Sequence, residues 1–126
     1  MNILIRRVRH SDQPYATVGS WSYPADDRLV ILVSDVRNPD EEFLIALHEL
    51  VEAYLCHKHS VSDESVREFD IAYNKSGRQG EPGDDPSAPY HREHVYATAV
   101  ERLVAGELGV KWSDHEHAED NVQEKE

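Results

Sequence analysis

The sequence predicts one α+β domain over residues 1–112, with a small antiparallel sheet of about three strands packed against two to three helices. Three observations lead there. Three short runs of strand-forming residues fill the first third of the chain. Apolar side chains then recur at helical spacing from Pro39 to His57, and two further helical segments follow, separated by a loop rich in Gly and Pro. With 126 residues the chain is long enough for one modest core.

Asn2 to Val8 opens with apolar residues and alternates weakly, Tyr15 to Tyr23 is rich in aromatic and β-branched residues, and Leu29 to Val33 is a short continuous apolar run. Each reads as a strand. Pro24-Ala25-Asp26-Asp27 is turn chemistry that suits a hairpin between the last two, and from it comes the antiparallel expectation. Asn38-Pro39-Asp40-Glu41 is a helix start, with an Asn cap, Pro at the first helical position and acids near the positive end of the dipole. In that helix Phe43, Leu47, Leu50, Val51, Tyr54 and Leu55 share a broad apolar face, which predicts burial on that side. Ser62-Asp63-Glu64 starts a second helix running to about Tyr73 or Asn74, its inward face Val66, Phe69 and Tyr73. Lys75 to Ser87 holds Gly77, Gly80, Pro82, Gly83 and Pro86 and is a long loop. A third helix is expected from about Pro89 to Leu108, closed by Gly109, with Tyr96, Val100, Leu103, Val104 and Glu107 along one side. Residues 113–126 are acidic and nearly free of apolar side chains, which predicts a disordered tail in which His115 and His117 have no role.

Thirteen basic residues against twenty-five acidic ones give a net charge of −12, and only Arg6-Arg7-Val8-Arg9 offsets it locally. Phosphate-backbone binding needs a basic surface, so nucleic acid is not an expected partner. No apolar run approaches the length of about 20 residues that spans a bilayer, and the start of the chain lacks a signal-peptide pattern. The single cysteine, Cys56, excludes an internal disulfide. The expectation is a cytoplasmic protein without a membrane partner.

Within the first helix the stretch Leu47-His48-Glu49-Leu50-Val51-Glu52 carries two polar groups, His48 and Glu52, one turn apart in apolar surroundings. An unpaired imidazole or carboxylate there costs several kcal/mol, roughly, unless it is hydrogen-bonded, paired or metal-bound. Side chains at i and i+4 project together, so a divalent cation is one suitable partner. The pattern His48-Glu49-x-x-Glu52 resembles the motif helix of zincin-like metallopeptidases, with Glu52 where that family usually has His. The resemblance covers this helix alone. It implies a zincin-like fold, zinc held by His48 and Glu52, and Glu49 as the base that takes a proton from water. The carboxylate ligand opens the site to manganese or iron.

The third ligand has several candidates. Asp70 lies on the inward face of the second helix, and zincin-like groups often place a carboxylate on the helix after the motif, so Asp70 is preferred by position and face. Ion pairing of Asp70 with Arg92 or Arg102 competes with that role. His94, His91 and Glu93 sit in the first turn of the third helix and could also complete the site. Cys56-His57-Lys58-His59 looks like a chelating cluster but sits at a helix end, and Asp84-Asp85 reads as an acidic turn rather than a calcium loop. These residues predict metal-assisted hydrolysis, most simply of a peptide or amide bond in a small peptide or protein substrate. Two rivals stand beside it. Acid-rich helices loosely resemble the all-helical MazG-type nucleotide pyrophosphohydrolases, though the strands and His48 do not suit that fold. A compact acidic domain with a long loop also resembles small bacteriophage-encoded adaptors, which would bind metal without catalysis.

Overall fold

The computed structural model describes residues 1–116 and has an α+β fold, with a three-stranded sheet and four helices. The strands are β1 (Asn2–Val8), β2 (Gly19–Ala25) and β3 (Arg28–Ser34), and the helices are α1 (Pro39–Lys58), α2 (Asp63–Lys75), α3 (His91–Leu108) and α4 (Trp112–Glu116). The sheet order is β1-β3-β2. β2 and β3 form the expected antiparallel hairpin, whereas β1 runs parallel to β3, so the sheet is mixed. The parallel pairing follows from the connection at residues 9–18, which crosses the end of β3 and is too long to act as a tight turn. Gln13 seals that crossing: its amide donates to Val18 O, Leu32 O and Ser34 Oγ, and its side-chain oxygen accepts from Ser20 Oγ. β2 therefore begins at Gly19 and not at Tyr15, because residues 15–18 belong to the crossing. The β2–β3 register shifts between Ser22 and Ala25, where Pro24 has no amide to give to the ladder.

Leu29, Ile31 and Val33 alternate inward along β3 and form the core with Trp21, Val36, Ile45, Ala53, Cys56 and Val66. β1 is exposed along nearly its whole length as one edge of the sheet. Among the described residues, no helix is long and apolar enough to cross a membrane.

α1 starts where its caps predict, the Asn38 side chain accepting from Glu41 N at 3.2 Å. Its rotation differs from the apolar-face expectation. Phe43 and Tyr54 are 55% and 52% exposed, while Leu44, Ile45, His48, Glu52, Ala53 and Cys56 are buried. α3 is rotated likewise: Tyr96 and Leu103 face solvent, and Glu93, His94, Ala97, Glu101 and Ala105 turn inward. The two rotations have one cause. Small Ala53, Cys56, Ala97 and Ala105 let elements approach closely, and the polar groups satisfy one another across the α1–α3 seam, so burying them costs less than their hydropathy suggests. α2 buries Val66, Asp70 and Tyr73, as read from its spacing. α3 ends at Gly109, whose φ of 72° is the left-handed stop that glycine allows.

The chain does not leave the fold at residue 113. Residues 112–116 form α4, and His115 is buried. The remainder of the expected tail, with His117, lies outside the described residues.

Candidate metal centre

Three side-chain atoms from the α1–α3 seam converge. His48 Nε2 is 3.0 Å from Glu52 Oε2, Glu52 Oε2 is 3.1 Å from His94 Nδ1, and the two ring nitrogens are 3.2 Å apart. All three residues are buried. The local reason for the first pair is helical spacing on α1. The third member comes from the first turn of α3, where Gly83 of the preceding loop lies flat against the His94 ring: a Cβ at Gly83 would fall 2.9 Å from Cδ2 and closer still to Cγ and Nδ1.

Each converging residue is fixed from behind by its other polar atom. Trp21 Nε1 donates to Glu52 Oε1 at 3.0 Å. His48 Nδ1 lies 2.7 Å from Glu101 Oε1, and His94 Nε2 lies 3.1 Å from Asp84 Oδ1 and 3.1 Å from Glu81 Oε2. Carboxylates only accept, so these outer ring nitrogens carry the protons. With both rings neutral, the inner atoms, His48 Nε2, His94 Nδ1 and Glu52 Oε2, would be three acceptors facing one another, which protons on the rings or a cation between them would relieve. Ligands about 2.0–2.1 Å from a tetrahedral zinc stand about 3.3 Å apart, so the observed triangle needs to expand by only a few tenths of an ångström to fit. Histidines backed by carboxylates are also the usual outer arrangement of such sites.

The electrostatics show how the three side chains hold one another. Burial works against charge on His48 and His94, yet the hydrogen bonds that the first donates to Glu101 and Glu52, and the second to Glu52 and Glu81, win; His48 is held well above its ordinary value and His94 is raised to about 10. Burial also opposes charge on Glu52, but the two rings hold it down to about 2. Metal-free protein therefore keeps the cluster together with protons. Glu49, with only 12% of its side chain exposed and 3.9 Å from His48 Nε2, behaves oppositely: burial first and then the neighbouring Glu52 push its carboxyl well up. A divalent cation in the triangle would lower it again.

Of the residues singled out from sequence, His48, Glu52 and His94 are brought together and Glu49 borders them. Asp70 is outside the triangle. Its carboxylate accepts from Tyr15 Oη at 2.8 Å and from Tyr90 Oη, so its partners are two tyrosines and not Arg92 or Arg102. Burial raises it to about 6 against the lowering effect of those hydroxyls. His91 is turned to Gly83 O at 2.9 Å, and Glu93 faces His59 at 3.6 Å. The Cys56 cluster is dispersed: Cys56 is buried with its thiol pushed up by burial, and His57 stacks on Tyr23 at 4.9 Å. Asp84, read as a bland turn, reaches His94.

Sequence reasoning missed Glu101 and His115. Glu101 lies seven residues after His94, hence on the same face of α3, and that spacing was an available signal. Burial opposes its charge, but His115 and His48 hold it below the usual carboxylate range. For His115 the only cue was Trp112 three residues earlier, the one large apolar side chain near it. An open cleft of about 1500 Å³ leads to the cluster, with Tyr15, Trp21, Tyr90 and Trp112 on its walls. Compared with protein-family models, curated proteins and solved structures, the chain matches none.

Proposed function

We propose that this chain is a metal-dependent hydrolase of peptide or amide bonds, with His48, Glu52 and His94 as ligands of a zinc-type cation and Glu49 as the proton acceptor. The observation that carries the reading is the buried triangle of three potential ligand atoms, each held from behind by a separate donor or acceptor. When bound, such a cation polarises a carbonyl and makes water a nucleophile near neutral pH. The chain's own residues do the rest. Glu101 and Trp21 hold the first two ligands in orientation, and Asp84 and Glu81 hold His94. Glu49 sits beside the triangle, 3.9 Å from His48 Nε2, with a carboxyl whose proton affinity burial raises and a cation would lower, which suits a group that accepts a proton and later returns it. Asp70, Tyr15 and Tyr90 form a hydrogen-bonded wall of the cleft rather than part of the ligand set.

Two histidines and a carboxylate also suit iron or manganese, so the identity of the metal is part of the test. Protein purified without chelator or affinity His tag should carry about one transition metal per chain by mass spectrometry. With zinc, manganese or cobalt added, it should cleave members of a peptide library. Glu49→Gln should keep the metal and lose activity by about 10²- to 10⁴-fold. Absence of metal under replete conditions would defeat the proposal, and metal without turnover would leave a binding module.

A further inference from the structure

Beyond the triangle runs a chain of contacts to the last described helix. Glu101 Oε1 accepts a hydrogen bond from His48 Nδ1 at 2.7 Å, and its Oε2 accepts one from His115 Nε2. His115 is buried, yet among the described residues its Nδ1 has no hydrogen-bond partner. A buried imidazole with one empty nitrogen is a poor choice for stability, because an apolar ring of similar size would avoid the unpaired atom. Among the described residues its polar contact is with Glu101. The ring is seated for that contact: Trp112 packs against it with centroids 5.4 Å apart, and the Arg102 guanidinium covers Trp112 at 5.1 Å.

We propose that His115 is a positioning residue for the metal centre, acting through Glu101 to orient the His48 ring. The functional meaning of this relay rests on the metal-centre reading; the relay itself does not. Glu101 has two oxygens and two imidazoles, one on each. With the His115 proton in place, one oxygen is committed to α4 and the other is aimed at His48 Nδ1, so Nε2 is turned to the triangle. Without it, Glu101 can rotate about its terminal torsion and the His48 ring loses its fixed partner. α4 therefore closes the metal centre from outside.

The test uses the full chain with His115→Phe, which keeps ring volume beside Trp112 but has no proton to give, and His115→Gln, whose amide N–H falls near the position of Nε2. Zinc affinity by chelator competition should fall about 10- to 100-fold in His115→Phe and stay within about threefold of wild type in His115→Gln. The absorption spectrum of the cobalt-loaded protein should change in the first and not in the second. A readout independent of metal comes from proton NMR of the metal-free chain. The slowly exchanging His48 Nδ1–H signal should persist in wild type and His115→Gln and be lost in His115→Phe, with melting temperatures recorded to show that each variant is folded. If His115→Phe keeps wild-type affinity, or its His48 signal survives, the relay is overturned. Equal losses in both variants overturn it too, since they would reflect packing and not the donated proton. If wild-type protein binds no metal while the NMR signal depends on His115 as stated, the metal-centre reading fails and the relay stands.

Discussion

Replacing Gly83 by alanine probes the metal centre through a residue that offers no ligand atom. The added methyl would lie under 3 Å from three ring atoms of His94, including the proposed donor Nδ1, whereas carbon contacts are comfortable at about 3.5–4.0 Å. Ring or loop must then move by on the order of 1 Å. The ring cannot do so and remain a ligand, because metal–ligand distances are held to about ±0.2 Å. The loop cannot do so without withdrawing Asp84 and Glu81 from His94 Nε2. Either route damages the third ligand. Zinc affinity should fall on the order of 100-fold, about 2.7 kcal/mol, at the upper end of what loss of an outer partner costs. Overpacking alone should lower the stability of the metal-free protein by about 1–3 kcal/mol. Gly106→Ala is the control: Gly106 is an exposed helical residue with nothing within 4 Å of an added Cβ, so affinity should be unchanged and stability up by about 0.5–1 kcal/mol. Chelator-competition titrations, with calorimetric melting in the presence and absence of EDTA, separate the two effects. Wild-type zinc affinity in Gly83→Ala would show that His94 is not held by this contact or is not a ligand.

The remaining expectations concern protons. Because His94 is raised to about 10 in the metal-free chain, a metal must displace a proton from the triangle throughout the neutral range. Apparent zinc affinity should therefore climb by about tenfold or more per pH unit from pH 6 to 8, since His48 is raised as well, and a flat profile by isothermal titration would contradict the assignment. Asp70 gives a stability signal of opposite origin. Its folded-state value, about 6, lies above the ordinary 3.8, so its contribution is most favourable below about pH 4, falls as pH rises to about 6, and is level above. The loss is at most about 3 kcal/mol. Asp70→Asn should remove that slope from urea-unfolding free energies measured between pH 4 and 7, while zinc affinity stays within about tenfold of wild type. A larger loss of affinity would return Asp70 to the ligand set.

Sequence alone determined what depends on neighbours a few residues away. Asn38 and Pro39 open α1, Ser62 opens α2 by accepting from Ser65 N, and Gly109 closes α3, because cap chemistry is settled within one turn. His48 and Glu52 were legible as a pair for the same reason: i and i+4 share a helix face in any fold. The tertiary structure decided the rest. The direction of β1 depended on a crossing connection, and the rotation of α1 and α3 depended on polar groups whose partners lie up to 53 residues apart, as with His48 and Glu101. Among Asp70, His91, Glu93 and His94, only packing could select, since all four were inward or eligible by spacing. His94 reaches the triangle because Gly83 lets the loop lie on its ring, and His115 reaches Glu101 because Trp112 folds α4 back onto α3. Neither contact leaves a trace in local periodicity, because each is made by a side chain whose position is fixed by an element distant in sequence.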